Sequence, residues 1–463
     1  MLYGIDIWFS PPHTEPGKKH RSGSAGPLRK LESIQRIATL AITGALRTTP
    51  TDLLDLHANL LPVDLAIEKA CYRSLVRISS LPPSHPLHHI IREYHEDLKV
   101  QLPKHPTNLH FLLHTFNFVP SLTEIIAPVT DVPEWLKAFT TEITTSRTDS
   151  IAHEIIDDAD VAIYMDGSKV DSGGVGASAV TLKRGYVTPS NRLRFFLGNA
   201  NQHTSYKAEA IGLLLAAWSI FRERNSLSGR IAIYVDNQAI IQAIVNPKAK
   251  SAQYIIDELL HLMEESRRAF DARPAGTPTS IKIAWISAHS GVAGNELADG
   301  EAKLAALGKT STPLALPELL RKHLPINASA LKQDFADKLK RKWRSRWRNS
   351  PHYNRIARFD NQFPLKAYIQ GRDSLSQQQA NLITQIRTGH IPLNKYLHRI
   401  KQKDSPNCEA CLEAGIEAPE TPRHLLLECP SYGRERFLYE SVRSTLLLAP
   451  SPQRRQRKER IMI

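Results

Sequence analysis

Four acidic residues, Asp166, Glu209, Asp236 and Asp299, stand where carboxylates from separate elements could act together on a phosphodiester. Asp166 closes the apolar run 161–165 and is followed by Gly167-Ser168. Asp236 closes a near copy, 231–235, and is followed by Asn237. Two buried strands that end in Asp carry both carboxylates to the carboxyl edge of a sheet, where open α/β sheets bind ligands. Glu209 sits between Ala208 and Ala210 in a long apolar helical pattern, where an unpaired acid needs a reason. Asp299 lies in a later helix, and Lys169, Lys207 and Lys303 are too scattered to neutralise the set. Taken singly, each acid reads as a solvated loop or helix-end carboxylate. Together they form a cluster that is costly unless cations hold it. Hard divalent ions, Mg²⁺ first and Mn²⁺ as an alternative, take such oxygen ligands. Two of them about 3.5–4 Å apart suit phosphodiester hydrolysis, one activating water and the other stabilising the leaving oxygen.

A second constellation is Cys408-x2-Cys411-x12-His424-x4-Cys429, which holds three of the chain's four cysteines. Three thiolates and one imidazole at such spacings read as a tetrahedral, structural Zn²⁺ site with no open position. The fourth, Cys71, falls on the apolar side of the helical pattern 65–78 and reads as a core residue.

The elements that must position the acids read as strands 161–166, 174–182 and 191–197, helix 204–224 and strand 231–236. Helices 237–245 and 251–270, strand 281–287 and helix 293–307 complete the set. Turns rich in Gly and Pro join the first three strands into an antiparallel meander. A right-handed crossover through helix 204–224 then brings strand 231–236 parallel to the first, so that Asp166 and Asp236 stand side by side. The predicted fold class is α/β, with a mixed five-stranded sheet and flanking helices.

The stretch 285–299, Trp-Ile-Ser-Ala-His-Ser-Gly-Val-Ala-Gly-Asn-Glu-Leu-Ala-Asp, together with Asp166-Gly167-Ser168, Glu209 and Asp236-Asn237, closely resembles the ribonuclease H domain of retrotransposons. The resemblance covers residues 160–308 and keeps motif order and spacing. It implies that Asp166, Glu209, Asp236 and Asp299 are the metal-binding carboxylates, with Asp166 bridging two ions. It further implies that His289 assists proton traffic or product release from a mobile loop. Ser287-Ala288 depart from the Pro-Gly common before that His. Gly167, Ser168, Thr204, Ser205 and Asn237 match substrate-contacting positions, suited to reading a 2′-hydroxyl across a minor groove. Thr204 reads equally as the N-cap of the Glu209 helix. The implied reaction is endonucleolytic cleavage of the RNA strand of an RNA–DNA hybrid, leaving 5′-phosphate and 3′-hydroxyl ends.

The cysteine set and the upstream run 384–390, Thr-Gln-Ile-Arg-Thr-Gly-His, resemble the CCHC module near the carboxyl end of non-LTR (LINE-like) retrotransposon proteins. Residues 33–61 resemble the helical segment that follows their polymerase core. The polymerase signature itself is missing, since the one Asp-Asp pair, Asp157-Asp158, follows Ile155-Ile156 in an unsuitable acidic stretch. The chain is thus identified as a fragment of such a protein, and polymerisation would need a separate reverse transcriptase.

The expected organisation is a helical remnant and linker over 1–150, the ribonuclease H domain over 160–308, and basic helices over 309–400. A zinc module over 401–435 and a basic tail over 436–463 follow. A net charge of +14 suggests a polyanion partner. Phe335, Leu339, Trp343 and Trp347 form an i, i+4 stripe flanked by Lys and Arg. Such a stripe is read first as a packing seam and second as a nucleic-acid face. No run is long enough to span a bilayer and no signal peptide is evident, so membrane and secreted roles are set aside for an intracellular, nuclear or cytoplasmic one. Two rivals remain. A catalytically silent nucleic-acid-binding remnant would be marked by loss of a carboxylate. A transposase or resolvase on the same sheet would not be expected to carry the 294–299 motif.

Overall fold

The computed structural model describes residues 4–14, 21–97, 106–129, 138–186, 188–273, 278–288 and 290–438. They divide into two compact units. Residues 9–70 and 338–438 form one, and Cys71–Asp337 with Ile5–Trp8 form the other.

The second unit contains the sheet. Its elements in order are β1 (Thr140–Glu142), α1 (Arg147–Ile156), β2 (Val161–Lys169), β3 (Gly174–Lys183) and β4 (Asn191–Asn199). Then come α2 (Ser205–Glu223), β5 (Gly229–Val235), α3 (Gln238–Val245), α4 (Gln253–Asp271), β6 (Thr279–Trp285) and α5 (Ala293–Ala306). Sheet order is β1-β6-β5-β2-β3-β4. The meander β2-β3-β4 is antiparallel, whereas β5 runs parallel to β2 in the register Val161↔Ile231 to Met165↔Val235. The parallel crossover through α2 is therefore as the pattern predicts.

The sheet has six strands, not the expected five. The extra strand, β1, pairs parallel with Lys282, Ile283 and Ala284 of β6. It lies in the stretch read as linker because three residues, Thr-Thr-Glu, are too short and too polar to show strand alternation.

Both faces of β2 are covered, which is why its run is continuously apolar. Ile163 and Met165 face a core built with Ile211, Leu214 and Leu215 of α2 and Ile255, Ile256 and Leu259 of α4. Tyr164 and Tyr234 face the other side, with Ala298 of α5 and Ile151 of α1. Leu316, Leu320 and Leu324 also join the first core, so the chain just past α5 belongs to this unit.

The other unit is helical. Its core joins Leu53 and Leu56 of helix Thr51–Ala58 to Trp347, Ile356, Leu365 and Tyr368, nearly 300 positions later in the sequence. Leu339, Trp343 and Trp347 are all buried. In the sheet unit Phe335 stacks on Tyr72 with ring centroids 4.0 Å apart. The aromatic stripe is thus first of all a packing seam. Cys71 is fully buried, as a core thiol. Among the described residues no helix is long and apolar enough to cross a membrane.

Candidate active site and metal centre

Register decides how the first two acids meet. Met165 is paired with Val235, so Asp166 and Asp236 emerge together one step beyond the parallel ladder. Side chains alternate across a strand. Asp166 and Asp236 each follow a tyrosine of the α5 face by two positions, and they emerge on that side, toward Asp299.

Glu209 arrives from the opposite helix because that helix lies unusually close. A β-carbon on Gly167 would sit 2.5 Å from the Glu209 backbone nitrogen and 2.7 Å from the Ala208 carbonyl carbon. One on Gly212 would sit 2.6 Å from Met165 Cε. Glycine at these two places lets α2 press on β2 and deliver Glu209 to its end. On the other face, a β-carbon on Gly176 would fall into the backbone of Ala305 and Ala306. There the Ser178 hydroxyl donates to the Ala298 carbonyl at 2.7 Å. Ser178 is the β3 partner of Asp166, so this bond fixes α5, one residue before Asp299, at the level of Asp166.

One ligand oxygen each from Asp166, Glu209 and Asp236 lie within 4.8 Å of one another. Asp166 and Glu209 are buried, at 8% and 7% exposure. Burial pushes the Asp166 carboxyl up from 3.8 to about 7, helped by Asp236 and Asp299 and partly offset by the Gly167 N–H. Burial also holds Glu209 well above its usual range, with Asp236 and Asp166 adding to it. Oε2 of Glu209 is buried with no hydrogen-bond partner among the described residues. A buried carboxylate oxygen without a hydrogen-bond partner beside two more carboxylates makes an all-oxygen donor set, which fits Mg²⁺ or Mn²⁺.

Asp299 stands outside that group of three. Its Oδ2 accepts from Lys303 Nζ at 2.6 Å, so one lysine does neutralise one acid, through an i, i+4 pair on α5. Lys207 does not. It is fully buried on the far side of α2, donating to the Pro325 carbonyl at 2.8 Å and lying 3.2 Å from His203 Nδ1.

Among the positions matched to substrate contacts, Gly167 and Ser168 continue β2 beyond Asp166. Thr204 caps α2, accepting from the Lys207 N–H at 3.2 Å, and Asn237 caps α3, accepting from the Ala239 N–H at 3.0 Å. Ser205 is exposed in the first turn of α2. Thr204 and Ser205 open onto a cleft of about 1290 Å³ that Lys248, Lys250 and Lys332 also line. Sequence reading missed these lysines. Lys248-Ala-Lys250 could have been found as a basic pair after α3, but nothing local marks Lys332. His289 lies outside the described residues, though its neighbour Ser287 is held by an N–H bond to Ser150 Oγ of α1 at 3.2 Å.

In the other unit, Cys408, Cys411, His424 and Cys429 are all buried, and their ligand atoms lie within 4.8 Å of one another. Cys408 and Cys429 sulfurs are 3.9 Å apart, Cys411 and Cys429 3.7 Å, and Cys411 Sγ lies 3.4 Å from His424 Nε2. Two thiolates at about 2.3 Å from one tetrahedral ion should stand about 3.8 Å apart, and a thiolate and an imidazole about 3.6 Å. A disulfide needs about 2.05 Å. The donor set and its spacing fit one tetrahedral cation.

Residues 158–307 match the RNase H family model. No curated protein matches the chain. Among solved structures, the chain is similar to the N-terminal RNase H domain of a Mycobacterium tuberculosis protein fused to maltose-binding protein. There the identity is 19% and the TM-score 0.24, over 32% of this chain and 94% of that one. It is also similar to RNase H1 of the halophilic archaeon Halobacterium salinarum, at 17% identity and TM-score 0.24, over 32% of this chain and 98% of that one. The span that matches the RNase H family model runs from before β2 to the end of α5 and takes in the strands that set Asp166 in step with Asp236 on a mixed sheet.

Proposed function

We propose that this domain hydrolyses the RNA strand of RNA–DNA hybrids, using divalent cations held by Asp166, Glu209 and Asp236, with Asp299 completing the site. The observation that carries the reading is the buried, unpartnered Oε2 of Glu209 beside two further carboxylates, inside an RNase H domain. Bound cations would supply an activated water and charge stabilisation for the leaving 3′-oxygen. The chain's own part is to fix the donors. The β2–β5 register aligns Asp166 with Asp236, Gly167 and Gly212 bring Glu209 in, and Ser178 ties α5 beside them. The cost of gathering the acids is met by the packing of α2 and α5 against the two faces of the sheet. Thr204 and Ser205, with Lys248, Lys250 and Lys332, are proposed to carry the hybrid's backbone through the cleft they line, and Asn237 to contact it beside Asp236. A phosphate-lined substrate matches lysines, and hydroxyl and amide groups match 2′-hydroxyls. His289 is proposed to assist proton transfer or product release.

The cysteine set is proposed to hold one structural Zn²⁺, supported by sulfur separations close to those of a tetrahedral site. The CCHC resemblance supports a retrotransposon-derived protein, with a reverse transcriptase as its proposed partner. The deciding experiment is cleavage of a labelled RNA–DNA hybrid with Mg²⁺, set beside RNA–RNA and DNA–DNA duplexes. Wild-type protein should cut the RNA of the hybrid, and Asp166→Asn should not. A folded protein inert on the hybrid, or an active Asp166→Asn, refutes the assignment and leaves the silent nucleic-acid-binding remnant.

A further inference from the structure

The helical unit contains two adjoining cavities that share the wall Asn361-Gln362. The first, about 460 Å³, is lined by three cations, Arg344, Arg348 and Lys366, with Trp347, Tyr353 and Phe363 as its rings. The second, about 650 Å³, is lined by Phe359, Tyr368, Leu375 and Ile383, with Arg372 and the Arg387–Asp360 pair.

Charge compensation differs sharply between the two sides of helix Ala328–Arg348. Lys342 is paired with Glu68 at 2.7 Å and Arg346 with Asp64 at 2.6 Å. Arg344 and Arg348, one turn apart on another side, have no carboxylate partner among the described residues, and neither has Lys366. Arg344 donates to the Phe363 carbonyl at 3.0 Å, which holds its guanidinium at the cavity wall. Asp360 is the sole carboxylate among the described residues lining either cavity, and it is already engaged with Arg387 at 2.9 Å. Beside the second cavity Arg372 is paired with Asp373 at 3.2 Å through Nη2, while its Nη1 is buried with no hydrogen-bond partner among the described residues. A buried guanidinium N–H without an acceptor is costly unless a ligand oxygen or nitrogen supplies one. One cavity therefore asks for anionic oxygens, and its neighbour asks for a flat, partly apolar group with an acceptor on its edge.

The geometry points to a binding site for single-stranded nucleic acid in this cleft. Backbone phosphates would lie against Arg344, Arg348 and Lys366, and an unstacked base would enter against the exposed ring of Phe359, beside Arg372. A duplex keeps its bases stacked inside and cannot present one to a cavity of this size. An acidic peptide could meet the cations but has no planar group for the second cavity. The site lies wholly in the helical unit and is independent of the carboxylate cluster, so it stands whether or not the hybrid is cut.

The test uses the full-length chain without Mg²⁺ and a fluorescent 12-nucleotide DNA strand, read by anisotropy across a salt series. The double variant Arg348→Glu/Lys366→Glu should bind at least tenfold more weakly at low salt. Its plot of log affinity against log salt should flatten by about 1.4, as for two lost single-strand phosphate contacts. The charge-matched control Lys340→Glu/Arg341→Glu, also exposed on helix Ala328–Arg348 but outside both cavities, should keep most of the affinity. A strand of the same length with abasic positions should bind wild-type protein about tenfold more weakly, since base stacking on protein rings is typically worth that much or more. Circular dichroism confirms that each variant is folded. Equal losses in the two double variants, undiminished binding of the abasic strand, or equal competition by poly-glutamate would each overturn the proposal.

Discussion

Replacing Asp166 by Asn should make the metal-free protein more stable at neutral and alkaline pH while abolishing cleavage. In the fold the Asp166 carboxyl is pushed from 3.8 to about 7 by burial and by Asp236 and Asp299. A carboxyl raised in the folded state contributes its stability below its unfolded value, and that contribution is lost as pH rises through the folded value. The loss should therefore run from about pH 4 to about pH 7 and be complete above that. At about 1.4 kcal/mol per pH unit, the ionised Asp166 costs about 4 kcal/mol at pH 8. Glu209 shares the repulsion and can take up the proton instead, so the part recovered by Asp166→Asn is better set at about 2–4 kcal/mol. Urea unfolding with a chelator, at pH 4.5 and pH 8, measures this directly. The variant should exceed wild type clearly at pH 8 and by no more than about 1 kcal/mol at pH 4.5, and Mg²⁺ should stabilise wild type far more than the variant. Equal stability at pH 8, or an advantage that persists unchanged at pH 4.5, would refute the argument that these acids are gathered against their own repulsion.

Metal analysis of the full-length chain should find one Zn²⁺ per molecule, and Cys411→Ser with Cys429→Ser should lose it; zinc retained by the double variant would sink that site. Gly176→Ala should destabilise the sheet unit by about 1–3 kcal/mol, because its β-carbon meets the backbone of α5, and cleavage should fall with it. Denaturant unfolding read beside the cleavage rate checks this. His289→Ala should slow hybrid cleavage by about 10²–10⁴-fold without affecting unfolding midpoints, the usual scale of acid–base help.

Much of the domain at residues 158–307 was legible in the chain because its signals are local and periodic. Asp-ended apolar strands, the Gly294–Asp299 motif and one acid inside an apolar helix each announce themselves over fewer than 20 residues. Cys408, Cys411, His424 and Cys429 were legible for the same reason, since ligand types and spacing carry the chemistry. What register and packing decide was not legible. Lys303 looks no different in sequence from Lys169 or Lys207, yet it reaches Asp299 while Lys207 is buried on Pro325. The three residues of β1 carry no alternation and become a strand only because the edge of β6 is there to pair with them. Trp347 reads first as part of a seam and second as a stacking ring, and what decides is that Leu53 and Leu56, hundreds of residues away, join it in one core. Local pattern specifies which elements form and which chemistry they carry; which charges are neutralised and which surfaces stay open depends on contacts between distant segments, and those exist only in the folded chain.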